Sequence, residues 1–231
     1  MDFITEGFVQ GIKLLLTMDE ETINIVVTTL KLTLLSMSGI IIMGVPLGFL
    51  LGYFDFRGKN VLRTIVDTLL AMPTVVIGLL VYAFISRNGP LGEYDLLFTI
   101  RGMAIGQLIL GLPIVIAYTA TAVEGLDERL NVTLQTLGAS SFRLAMTTLF
   151  EGRFHIITAI LTSYGRIVGE VGAAMMLGGN IKWHTRTITT AITLETGKGD
   201  FSLGIALGVI LVFISLMLNV MTSYLKRKAT C

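Results

Sequence analysis

Five stretches of the chain are apolar for long enough to cross a bilayer, and no other feature constrains its fold as strongly. A transmembrane helix needs about 20 predominantly apolar residues. The stretches run from about Ile25 to Tyr53, Leu69 to Ile85, Met103 to Val123, Ile156 to Leu177 and Phe201 to Tyr224. Charged residues make up 14% of the 231, where soluble domains carry about 25%. Mean hydropathy is +0.81. This excludes a soluble enzyme of ordinary composition, a disordered chain and a nucleic-acid module. The net charge of +1 creates no long-range field for an acidic partner. The one cysteine, Cys231, excludes a disulfide scaffold or a CxxC metal site. The sequence predicts an all-α integral membrane protein, a polytopic bundle of about five transmembrane helices in the cell membrane.

Residues 1–21 read as an N-terminal interfacial segment, because the apolar run Phe3 to Leu16 is too short to span and is interrupted by Glu6, Gln10 and Lys13. Residues 22–224 form the transmembrane domain and 225–231 a cytoplasmic tail. Nine cations, among them Arg57, Arg63, Arg143, Arg153 and Lys226, fall on the side that the positive-inside rule makes cytoplasmic, against seven on the other. This places the N-terminus outside and the C-terminus inside. Glycines recur every four residues at Gly44, Gly48 and Gly52, at Gly102 and Gly106, at Gly165 and Gly169, and at Gly204 and Gly208. That spacing lets helix backbones approach closely. Pro46, Pro73 and Pro113 each remove a backbone donor inside a different span.

Catalytic machinery is missing. The chain has no Walker A loop and no GxGxxG fingerprint, and neither His155 nor His184 belongs to an HExxH pattern. No nucleophile and base are buried together as an intramembrane enzyme would require. Any uphill movement must draw its energy from another chain.

The segment of about 124–155 is too polar to span and reads as helix–Gly–helix. Leu130, Leu134 and Leu137 share one face. Gly138 tolerates a left-handed cap, and Ser140 or Ser141 can cap a second helix from Phe142 to Leu149. Such a stripe buries itself either in a groove of another protein or against its own bundle.

The run Leu137-Gly138-Ala139-Ser140, its following amphipathic helix, and the later Gly165-Arg166-Ile167-Val168-Gly169-Glu170-Val171-Gly172-Ala173 resemble the permeases of type I ABC importers. Within them the chain is most similar to the oxyanion branch for molybdate, tungstate and sulfate. The family's Glu-Ala-Ala falls here at Val132, Thr133 and Leu134. The resemblance implies the ABC type I transmembrane fold, with the loop as the coupling element at Leu134, Leu137, Gly138, Ala139 and Ser140. It implies a homodimeric pore, two separate ATPase subunits that bind ATP and Mg, and an extracytoplasmic oxyanion-binding protein. This chain would bind no cofactor and no metal. Residues Glu170 to Ile181 and Thr185 to Ile192 resemble tungstate permeases most, with molybdate second.

Arg166 and Glu170 stand four residues apart in the fourth stretch, preceded at the same spacing by Thr158 and Thr162. Charges at that depth cost roughly 2.5–3.5 kcal/mol each on insertion scales and face a bundle interior. The four residues are pore or gate candidates. Arg166 either eases passage of a dianion or only pairs with Glu170 across one helical turn. A secondary transporter would show inverted repeats, and a structural membrane subunit would need only the glycine packing. The resemblance of the helix–Gly–helix segment to the family's coupling loop decides for the permease.

Overall fold

A computed structural model describes residues 5, 9, 12–14, 16, 17, 19–126, 136 and 138–230. Most of the N-terminal segment 1–21, and Leu130, Leu134 and Leu137 of the loop stripe, lie outside the described residues. Among those described, the regular structure is entirely helical. The helices are α1 (Glu20–Tyr53), α2 (Lys59–Ala71), α3 (Thr74–Ile85), α4 (Ile100–Glu124), α5 (Ser141–Glu151), α6 (Arg153–Val168), α7 (Gly172–Gly178), α8 (Ile188–Lys198) and α9 (Phe201–Thr230), with one 3-10 turn at Gly92–Tyr94.

α1, α4 and α9 are each long and apolar enough to cross a membrane alone, and five crossings result if each bent helix pair counts as one. The 34 residues of α1 rise about 51 Å, well beyond the roughly 30 Å of hydrocarbon. Its start is fixed by the Asp19 carboxylate, which accepts from the Thr22 amide at 3.0 Å and the Thr22 hydroxyl at 3.2 Å. Further along, the buried Thr29, Thr33 and Ser36 donate to the carbonyls one turn back at 2.8, 2.9 and 3.0 Å. Polar side chains thereby enter an apolar helix without an unmet donor.

Two expected spans are not continuous helices. In the second, Met72 takes the extended conformation that a following proline favours and the chain divides into α2 and α3, whereas Pro46 and Pro113 stay inside α1 and α4. In the fourth, α6 ends at Val168 and α7 begins at Gly172. α8 was not expected at all. Its sequence has no apolar period, but Thr187 and Thr190 form a reciprocal capping box at its start.

The chain separates into two compact units. One comprises the residues through Ser36, Pro73–Leu110 and Gly165–Leu218, and the other Met37–Met72, Gly111–Tyr164 and Asn219 onward. In the first, Ile25, Ile188, Ala191 and Leu207 form a core. α7 packs there as well, its Ala173 backbone 2.9 Å from where a Cβ on Gly78 of α3 would stand. In the second unit the core is Leu51, Val66, Ala117 and Ala120.

The glycine spacing acts as expected in one helix only. A Cβ on Gly48 would lie 2.7 Å from the Ile116 carbonyl oxygen, and one on Gly52 would lie 2.6 Å from that of Ala120, so α1 touches α4 backbone to backbone. Gly102 and Gly106 instead make room for the Leu96 carbonyl and the Leu177 side chain, while Gly165 and Gly208 meet nothing within 4 Å. Gly48→Ala is therefore expected to force α1 from α4 at a cost of about 1–3 kcal/mol, and Gly208→Ala to leave stability unchanged or slightly raised. Thermal unfolding of both purified variants checks this; equal midpoints would show that the contact is dispensable.

Candidate functional site

The first candidate element is the loop joining α4 to α5. Gly138 has φ +77°, with nothing within 4 Å of where a Cβ would stand, so its backbone conformation and not its packing selects glycine. Ala139 follows, and the Ser140 hydroxyl accepts from the Arg143 amide at 3.4 Å as the N-cap of α5. The left-handed break stands where the sequence placed it, and of Ser140 and Ser141, which the sequence left open, Ser140 is the cap. What sequence reading missed is the outer face of α5. Phe142, Met146 and Phe150 are 72%, 53% and 62% exposed at four-residue spacing, while Leu144 and Thr148 turn inward and are buried. Their spacing was the available signal. Arg153 covers the last of them, its guanidinium 3.9 Å from the Phe150 ring centre and 4.6 Å from that of Phe154.

The second element is the broken helix carrying Arg166 and Glu170. Of the two alternatives for these charges, the pairing is ruled out by the break: no ion pair joins them among the described residues. Helical geometry stops at Val168, so residues four apart are no longer stacked on one face. Arg166 is exposed in the last turn of α6, where a cation complements the helix dipole. Glu170 is only 6% exposed, and its Oε1 accepts from the Ala173 amide at 3.1 Å, at the start of α7. Each charge serves a different helix end.

The break leaves backbone groups that need partners in a buried setting. The Ile167 carbonyl accepts from the buried Gln107 Nε2 at 3.3 Å, and the Gln107 Oε1 accepts from the Ser36 hydroxyl at 2.8 Å. The Thr189 hydroxyl donates to the Glu170 carbonyl at 2.8 Å. On the other side of α8's start, the Ile188 amide donates to the Thr29 hydroxyl at 2.9 Å. Nothing in the sequence links Gln107 or Thr189 to these carbonyls, because both lie far along the chain from the groups they bond.

Thr158 and Thr162 are brought elsewhere. They line a cavity of about 450 Å³ in the second unit, together with Tyr118, Thr121, His155 and Lys226. Each threonine donates to its own helix, Thr158 to the Phe154 carbonyl at 2.9 Å and Thr162 to that of Thr158 at 2.8 Å. Thr121 likewise donates to the Ala117 carbonyl at 3.0 Å and accepts from Arg63 at 2.8 Å. Behind it, Arg63 and Lys59 pair with Glu124 at the end of α4. His155 and Lys226 had not been singled out as a pair, since 71 positions in sequence separate residues 155 and 226. Among the described residues no cluster of His, Cys, Asp and Glu could hold a metal ion.

The separation of Arg166 from Glu170 has a measurable consequence. In a double-mutant cycle of Arg166→Ala and Glu170→Ala followed by thermal unfolding, the coupling energy is expected to be under about 0.5 kcal/mol. Glu170→Ala alone should cost about 1–3 kcal/mol by orphaning the Ala173 amide. A coupling well above that figure would restore the salt bridge.

Residues 44–230 match the family of binding-protein-dependent transport system inner membrane components. The chain is 47% identical over 227 residues to the tungstate uptake system permease protein TupB of Campylobacter jejuni, covering 98% of this chain and 95% of that one. It is 40% identical over 182 residues to a probable anion ABC transporter permease protein of Haloferax volcanii, covering 77% and 78%. The inward-facing structure of the MetNI methionine ABC transporter shares the fold, with a TM-score of 0.70, 15% identity, and coverage of 93% of this chain and 99% of that one.

Proposed function

The chain belongs to the family of binding-protein-dependent transport system inner membrane components, and from that premise we propose that it is the permease subunit of an ATP-binding-cassette importer that carries tungstate into the cytoplasm. Molybdate, of the same charge and shape, is the second substrate of this reading. Substrate assignment is supported by the relative named for tungstate uptake, which aligns over nearly the full length. In this reading 22–224 are the membrane domain, and the α4–α5 loop faces the cytoplasm. The permease acts as a homodimer, an extracytoplasmic binding protein delivers the anion, and two ATPase subunits hold ATP and Mg.

One observation carries the coupling role. α5 stands behind a left-handed glycine and a serine cap and presents Phe142, Met146 and Phe150 away from its own chain. An apolar stripe of that spacing fits a helix-in-groove contact. The groove belongs to the ATPase, whose movements on binding and hydrolysing ATP then reach α6, because only Gly152 separates α5 from it. Residues Leu134 and Leu137 join this contact in the proposal, as do Ala139 and Ser140. Arg166, exposed at the end of α6, is the cation proposed to guide the anion, and Glu170 holds the adjoining break in place.

Uptake of radiolabelled tungstate into proteoliposomes holding permease, ATPase and loaded binding protein tests the substrate; transport of sulfate in preference to tungstate and molybdate would refute it. For the coupling contact, Phe142→Ala is expected to weaken co-purification with the ATPase about tenfold or more, as loss of a buried anchor does. Gly138→Val, at a left-handed position costing a side chain about 1–2 kcal/mol, should insert normally and lose stimulated hydrolysis. Normal assembly and hydrolysis in both variants would show that this loop does not couple.

A further inference from the structure

In the first unit the connection from α3 to α4 meets the connection from α7 to α8 around a cavity of about 440 Å³. Phe98 joins the two. Its amide donates to the Leu177 carbonyl at 2.8 Å, and its ring edge comes within 2.8 Å of where a Cβ on Gly179 would stand. This seat holds Phe98 at φ +60°, which a bulky side chain rarely adopts. On the second connection the Thr185 hydroxyl accepts from the Ile181 amide at 3.0 Å and donates to the Gly178 carbonyl. The walls are thus set by the chain's own bonding.

What the cavity can hold follows from the groups left over. The lining hydroxyls of Thr99 and Thr185 already donate to the Leu96 and Gly178 carbonyls. Of the cations on the same connection, Lys182 pairs with Glu21, and Arg186 with Glu21 and Glu195. Among the described residues the Asp95 carboxylate and the Arg101 guanidinium, both in the lining, enter no ion pair with each other or with any other group. The Tyr94 phenol and the His184 imidazole add neutral donors. A ligand complementary to this set carries an anion and a cationic N–H donor in one small molecule.

The depth of the cavity points to its source. Arg101 is the second residue of α4, whose 25 residues rise about 37 Å against roughly 30 Å of hydrocarbon, so its first turn reaches headgroup level. Tyr94, Phe98 and the neighbouring Trp183 are exposed there, and aromatic side chains of that kind gather at membrane interfaces. In the orientation that the cations favour, this end faces the outer leaflet.

We propose that this cavity binds the headgroup of phosphatidylethanolamine, with its phosphate on Arg101 and its primary ammonium on Asp95. A guanidinium suits a phosphate through two parallel N–H bonds, and a carboxylate accepts from a primary ammonium. Phosphatidylcholine has no N–H for Asp95, and phosphatidylglycerol has no cation. The proposal goes beyond the transport reading and is independent of which anion is carried.

Trp183 is the one tryptophan of the chain and adjoins His184 of the lining, so its fluorescence reads lipid at this place. The full chain is reconstituted in phosphatidylcholine vesicles containing a small fixed fraction of lipid brominated near the carbonyl end of its acyl chains. Brominated phosphatidylethanolamine should quench Trp183 at least threefold more than brominated phosphatidylcholine or phosphatidylglycerol. Asp95→Asn should abolish that preference and leave quenching by phosphatidylcholine unchanged. Asparagine tolerates the left-handed φ of +48° at this position, so the variant keeps the loop. Arg101→Gln should also weaken quenching by phosphatidylethanolamine. Equal quenching by the three lipids, a stronger effect of phosphatidylglycerol, or a preference that survives Asp95→Asn would overturn the proposal. Loss of the preference on adding micromolar glycerophosphoethanolamine would assign the cavity to a soluble zwitterion instead. If both variants kept the lipid preference but lost capture of the loaded binding protein, the surface would belong to that protein.

Discussion

A helix interrupted inside an apolar assembly must find a partner for each backbone group it frees, and the break between Val168 and Gly172 sets that requirement for the first unit. The Ile167 carbonyl, already bonded to the Glu170 amide, also accepts from Gln107, the Glu170 carbonyl accepts from Thr189, and the Ala173 amide donates to the Glu170 carboxylate. These three partners come from α4, α8 and the break itself. Gln107 in turn accepts from Ser36 of α1, so one gap in one helix fixes the approach of several others. An unsatisfied group of this kind costs several kcal/mol in hydrocarbon. The polar residues buried here therefore complete the backbone bonding.

The same break explains how two charges are accommodated in an apolar stretch. A continuous helix would have stacked Arg166 over Glu170. Division of the helix instead gives Arg166 a C-terminus and Glu170 an N-terminus, each with the sign that suits the local dipole. Arg166 is thereby left exposed and not neutralised by its neighbour, which is the condition for acting on a passing anion.

In the second unit, close backbone contact replaces polar bonding as the organising device. Gly48 and Gly52 bring α1 onto α4, and at the far end of α4 Glu124 gathers Lys59 and Arg63. From that end the chain departs for the loop that presents α5, and beside it lies the cavity with His155 and Lys226. Only Gly152 separates α5 from α6, so a displacement of α5 acts directly on the helix that carries His155, Thr158 and Thr162.

Length and apolarity alone determined that the chain spans a membrane as helices, because hydrocarbon admits few other backbones at these lengths. The left-handed Gly138 was equally legible, and the cap after it was legible as Ser140 or Ser141, since both arise from conformational preferences of single residues and their immediate neighbours. The glycine ladder was legible as spacing but not as contact, since spacing does not say which face meets another helix. Tertiary structure alone decided that the second and fourth stretches divide, that Arg166 and Glu170 part, and that His155 and Lys226 line one cavity. Hydropathy averages over a window and registers the continuity of apolar side chains. A break depends on whether a partner such as Thr189, distant in sequence, arrives to satisfy a freed carbonyl such as that of Glu170, and only the folded chain brings it there.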